Sequence, residues 1–217
     1  VKALPLTAMK LLAPALVAAM HHKAWQSKCG ALSICGDLAQ KVPSYFMRTL
    51  PEVFPAFLEC VFDTHPKVNA LASHVIHPIC ACVKNAEVLS MLPLVIDAIK
   101  IPQKDTERCL DKLMETTFVN SMDAPSLAVI LPVIMRGLRE PSFPIKKKAA
   151  VTCGNICALV DDVRDLNPFI PVLRPELEKC EDHSHPDLRE GAAKAKASLL
   201  KGLEAGASGG DRKMAAI

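Results

Sequence analysis

Apolar residues return every three or four positions through most of this chain. Leu127, Leu131, Ile134 and Leu138, for example, fall on one helix face. No alternating apolar and polar run bounded by an Asn-Gly or Asp-Gly turn breaks the pattern, so strands are not expected. The pattern predicts helices in pairs: 6–21 with 25–41, 51–62 with 67–83, 87–99 with 104–118, 124–139 with 145–160, and 167–180 with 186–204. Periodicity then fades, and Gly202, Gly206, Ser208, Gly209 and Gly210 mark 202–217 as a flexible linker or tail.

A second period runs over the first. Pro14, Pro55, Pro93, Pro132 and Pro175 recur at spacings of 41, 38, 39 and 43 residues, each inside the first segment of a pair. Thirteen residues after each lie Ser27, Val68, Thr106, Ile145 and Leu188, near the start of the second segment. A period near 40 with two helices per unit predicts an all-α solenoid of the HEAT or armadillo type, right-handed, with about five helix pairs over residues 1–201. The repeats are about 6–41, 51–83, 87–118, 124–160 and 167–201. Each pair buries its apolar side only by stacking on its neighbours, so function is expected on extended faces and not in a pocket.

Seventeen prolines suit this scheme because of where they stand. Pro43, Pro66, Pro144 and Pro186 sit at helix starts or in turns, where the missing N–H is harmless. The periodic set is expected to kink the first helix of each pair, and Asp123 before Pro125 reads as a capped helix start. Half the residues are hydrophobic while only 4% are aromatic, leaving Ala, Leu, Val and Ile to form the core. No apolar run reaches the roughly eighteen residues of a membrane span without a break, and residues 1–20 lack a signal-peptide cleavage pattern. Nine scattered cysteines, an odd number, read as reduced thiols, which with the missing signal places the chain in the cytoplasm. The chain begins with Val and ends without a capping repeat, as a segment of something longer would.

The net charge of +3 does not by itself declare a nucleic-acid partner, but the basic residues cluster. Lys146, Lys147 and Lys148 open the second helix of the fourth repeat, whose apolar stripe is Ala149, Cys153, Ile156 and Val160. Helical geometry points Lys147 away from the core with its neighbours flanking it, and Arg136 and Arg139 at the end of the preceding helix extend the patch. Such a fan holds phosphates by charge; the same lysines also fit an ordinary solvated face. One Trp and one Tyr leave little for stacking on unpaired bases, so an RNA contact is expected at backbone or duplex shape.

Other chemistry is sparse. His74, His77, Cys80 and Cys82 are metal-ligand types, but tetrahedral closure requires the helix to break at Pro78, and buried small cysteines explain the pattern more simply. His183 and His185, in the loop before Pro186, read as exposed turn residues. There is no Walker-type phosphate loop, no G-x-S-x-G elbow and no H-E-x-x-H pair, and Cys153 with Cys157 has no histidine nearby in the pattern. Neither a cofactor nor catalysis is expected from this chain.

The stretch from Arg108 to Leu200 resembles the N-terminal HEAT domain of translation elongation factor 3. The matching features are Thr116-Thr117-Phe118-Val119, Arg136-Gly137-Leu138 with Glu140, and the run Ile145 to Val151. They continue with Asn155, Cys157, Leu159-Val160, Pro168-Phe169, Pro175 and Asp187 to Glu190. Lys23 to Trp25 and Pro51 to Asp63 fit the same domain more loosely; residues 1–22 add little and 201–217 nothing. The region is also similar to the giant HEAT-repeat ribosome-binding protein of the general amino-acid control pathway, which Asp123 to Ala128 approach more nearly. Both resemblances imply ribosome binding, to rRNA and ribosomal proteins, with a basic helix start where Lys146 to Lys148 stand. The first implies release of deacylated tRNA from the exit site, driven by two ATP-binding cassettes of the parent chain that these residues do not contain. A structural HEAT scaffold in an unrelated assembly is the remaining alternative.

Overall fold

The computed structural model describes the backbone of residues 6–210 and the side chains of 8–201, and all regular structure within it is helical. The helices are α1 Leu6–Met20, α2 Trp25–Lys41, the single turn α3 Pro43–Phe46, α4 Leu50–Val61, α5 Pro66–Cys80, α6 Ala86–Lys100, α7 Pro102–Glu115, α8 Ala124–Arg139, α9 Phe143–Ala158, α10 Ile170–Glu181 and α11 Pro186–Gly210. Each periodic proline lies inside the first helix of its pair: Pro14 in α1, Pro55 in α4, Pro93 in α6, Pro132 in α8 and Pro175 in α10. Pro66, Pro102 and Pro144 stand at the first positions of α5, α7 and α9, and Pro186 opens α11, where no helical N–H is lost.

The boundaries depart from the sequence pattern where local chemistry decides. α10 starts at Ile170 and not at 167, because Pro168 disfavours the helical region for Asn167; a 3₁₀ turn, Val163–Asp165, precedes it. α7 stops at Glu115, before the β-branched pair Thr116-Thr117, with the Thr116 hydroxyl donating to the Lys112 carbonyl at 2.7 Å. α9 ends at Ala158, so Val160 leaves the predicted stripe and is half-buried. α11 runs on past 202 to Gly210, into the segment expected to be a linker or tail: Leu203, Glu204, Ala205 and Ala207 favour helix enough to carry the glycines. The rest of that tail, 211–217, lies outside the described residues.

The contacts divide the chain into two compact units, 6–100 with 124–129 and 101–123 with 130–210. In the first, α1 packs on α2 and α4, α2 on α5, and α4 on α5, so first helix meets next first helix and second meets next second. Its core holds Phe46, Phe54 and Phe57, all fully buried, with Leu32, Leu50 and Ile76. Each such side chain contributes about 1.5–3 kcal/mol by leaving water. In the second unit α9 packs on α7 and α11, and α10 on α11. This core is made of smaller residues, among them Ala149, Ala150, Cys153, Ala192 and Ala195. Small side chains let the helices approach closely: a Cβ on Gly137 would meet the Ala149 Cβ at 2.7 Å, and one on Gly154 the Ala195 Cα at 3.2 Å. Among the described residues no helix is long and apolar enough to cross a membrane.

Candidate nucleic-acid interface

α9 begins where Pro144 presets the helical φ, after the extended Ser142, whose carbonyl accepts the Lys146 N–H at 3.0 Å. Ala149, Cys153 and Ile156 then form the buried face, which places Lys146, Lys147 and Lys148 at the rim, each half-buried. The rim is not a fan of three free cations. Lys147 Nζ lies 2.5 Å from Asp187 Oδ2 on α11, and Lys148 Nζ lies 2.8 Å from Glu107 Oε1 and 2.7 Å from Asp111 Oδ1 on α7. Its hydrogen bonds to Asp111 and Glu107 raise the Lys148 pKa, and the one from Lys147 lowers that of the Asp187 carboxyl. Lys147 therefore does not point freely outward as helix geometry alone predicts; it is tied to the next repeat. Lys146 makes no ion pair within 4.0 Å among the described residues.

Arg136 and Arg139 fall in the last turn of α8. Arg139 reaches Glu176 of α10 at 3.1 Å through Nε and through Nη2, and Lys179 reaches the same oxygen at 3.2 Å. Burial would raise the Glu176 pKa, but these two cations outweigh it and lower it. Arg139 is thus a tether between repeats as well as a surface charge.

Beside the lysines an open groove of about 600 Å³ runs along α9 and α11, lined by Lys147, Gly154, Asn155, Asp187, Glu190 and Lys194. Its charges alternate in sign, with Lys194 and Glu190 paired at 2.6 Å. Ser198 supplies a hydroxyl to its lining, which holds neither a thiol nor an imidazole. Elsewhere, α5 runs unbroken through Pro78 to Cys80, with His74 and His77 exposed and Cys80 and, beyond the helix, Cys82 buried. The Cys82 thiol is spent on the Ala39 and Pro78 carbonyls. The hydrogen bond with Cys157, together with burial, pushes the Cys153 thiol far up, which suits packing and not nucleophilic attack.

The comparisons with known proteins fall on both units. A family described as "Elongation factor 3/GNC1 HEAT repeat" matches residues 104–209, and one described as "EF3 N-terminal HEAT repeat" matches residues 1–76, including the first 22, which the motifs left almost outside. Protein ILITYHIA of Arabidopsis thaliana is 38% identical over 201 residues, covering 90% of this chain and 8% of that protein. Stalled ribosome sensor GCN1 of Homo sapiens is 33% identical over 195 residues, 90% of this chain and 7% of its own. Elongation factor 3 of Phytophthora infestans is 35% identical over 181 residues, 83% of this chain and 17% of its own. The chain spans less than a fifth of the length of each of these relatives. On the paired helices, the internal period and these matches, the chain belongs to the elongation factor 3/GNC1 family as a HEAT-repeat domain.

Proposed function

We propose that this domain is a non-catalytic, cytoplasmic ribosome-docking module that binds rRNA and ribosomal proteins through its helical faces. The observation that carries the reading is the basic start of α9, where Lys146 has no carboxylate partner among the described residues and Lys147 and Lys148 hold theirs at the surface. Exposed ion pairs are weak, so a polyanion with many phosphates displaces them at little cost. Relatives named for stalled-ribosome sensing and for elongation align over the same residues, which supports the ribosome as that polyanion. Because relatives of both kinds share the domain, the reading commits to docking and assigns any ATP hydrolysis to cassettes elsewhere in an elongation-factor-type parent. Co-sedimentation of the 217-residue chain with eukaryotic ribosomes tests it: saturable pelleting is expected. A folded chain that stays in the supernatant would favour a structural role in another assembly.

A further inference from the structure

The proline period sets up a comparison inside the molecule. Lys28 and Lys146 stand at the same place, fourteen residues after Pro14 and Pro132, and Asp63 and His183 at the same place, eight residues after Pro55 and Pro175. In the first unit these positions form an ion pair: Lys28 Nζ lies 2.5 Å from Asp63 Oδ2, while Asp63 Oδ1 accepts the His65 N–H at 2.8 Å. In the second unit the histidine keeps only the second of these tasks, its Nδ1 accepting the His185 N–H at 3.3 Å. It brings no negative charge for Lys146. The lysine still occupies the corresponding position, three residues after the ring that opens the second helix: Lys146 after Phe143 in α9, as Lys28 after Trp25 in α2.

Both units stack a ring of the turn on the ring that opens the second helix, His65 on Trp25 and His185 on Phe143, and the second unit adds His183 to the stack. The His185 ring lies 4.0 Å from that of Phe143 and 5.3 Å from that of His183, all within 28° of parallel. His185 is exposed; Phe143 and His183 are half-buried. Arg189 Nη1 pins the turn by donating to the His183 and Ser184 carbonyls at 3.1 and 2.9 Å. Of the carboxylates nearby, Asp187 is taken by Lys147, and Asp182 is exposed just before the turn. The matching turn in the first unit is closed on itself: Trp25 stacks on His65 at 4.9 Å, the Lys67 ammonium sits over the Trp25 ring at 4.6 Å, and Lys28 is paired.

We infer that Lys146, Phe143, His183 and His185 form a docking corner for one unpaired nucleotide of an RNA strand, its phosphate on Lys146 and its base against the stacked rings. The inference rests on the ribosome-docking reading and names the element bound. A free phosphate or an acidic peptide uses only the lysine, and a duplex hides the faces of its bases; an unpaired nucleotide uses both halves of the corner.

Anisotropy titrations of the 217-residue chain with labelled octa-adenylate, an abasic ribose-phosphate strand of equal length and an RNA duplex test it. His183→Asp rebuilds the Lys28–Asp63 arrangement and is expected to weaken octa-adenylate binding roughly threefold to tenfold, as loss of one phosphate contact does. His185→Ala is expected to weaken it roughly fivefold or more, while His65→Ala in the closed turn leaves it unchanged. Melting curves confirm that the variants are folded. Equal affinity for the abasic strand, or unchanged binding by both folded second-unit variants, overturns the corner. A chain that pellets with ribosomes but does not bind octa-adenylate overturns the corner and leaves the docking reading standing; failure in both assays overturns both.

Discussion

Lys147 Nζ meets Asp187 Oδ2 at 2.5 Å across forty residues, one repeat length. Lys148 does the same in the other direction, reaching Glu107 across forty-one. The basic start of α9 therefore fastens three successive second helices together, and only Lys146 is left without a carboxylate among the described residues. Single charge reversals should separate these roles. Lys146→Glu is expected to lower the slope of log affinity for ribosomes against log salt by about one. Lys147→Glu and Lys148→Glu should change the slope less and lower the melting temperature more, because each sets like charges together in the native state.

A pH-dependent contribution is expected in the first unit. The hydrogen bond with Lys28 lowers the Asp63 pKa, and the same bond raises that of Lys28. A lowered carboxyl adds stability above its unfolded value and loses it as pH falls through the folded one; a raised amine adds stability below its unfolded value and loses it as pH rises through the folded one. Asp63→Asn should thus cost about 1–3 kcal/mol in urea unfolding at neutral pH. The cost should hold level between about pH 5 and 10 and disappear in strong acid.

These pairs also show what the sequence carried and what it did not. The helix pairs were legible because a period of 3.6 lay under a period near 40, and Pro14 through Pro175 marked both. Closure of His74, His77, Cys80 and Cys82 on a metal requires α5 to break at Pro78, and α5 runs on through Pro78 to Cys80. The engagement of Lys147 and Lys148 was missed because helix projection treats one helix at a time, whereas their partners lie on the helices stacked either side. The repeat length was the available signal: adding forty to Lys147 lands on Asp187, and subtracting forty-one from Lys148 lands on Glu107. The stacked histidines were invisible for a related reason. A tally of Trp and Tyr overlooks imidazole rings, and only the close packing of α9 with α11 and its preceding turn brings His185 onto Phe143.

Two glycines should respond in opposite directions. A methyl added at Gly30 in α2 would meet nothing within 4 Å, so Gly30→Ala should raise stability by about 0.5–1 kcal/mol through helix propensity. Gly137→Ala places its methyl 2.7 Å from the Ala149 Cβ and 2.8 Å from Leu110, where the α9 side cannot yield without moving backbone. Overpacking costs of roughly 1–3 kcal/mol outweigh the propensity gain there, and thermal unfolding should show a net loss.

Thiol labelling reads the cores directly. Eight of the nine cysteines are buried and Cys29 is half-exposed. Burial pushes Cys35 and Cys109 up to about 12 and Cys60 and Cys82 up to about 11. An aromatic disulfide reagent at mildly alkaline pH should therefore modify one thiol quickly, lost in Cys29→Ser, and the other eight only on unfolding. Several fast thiols in the folded chain would contradict the packing described.

The docking role itself is tested most directly by a salt series of ribosome co-sedimentation, comparing the chain with the triple variant Lys146→Glu, Lys147→Glu, Lys148→Glu. Saturable pelleting that weakens steeply with salt, and a variant that stays folded yet pellets weakly with a flatter salt dependence, is the predicted result. Equal pelleting and equal slope for the two folded proteins would contradict the assignment of the α9 rim as the docking surface.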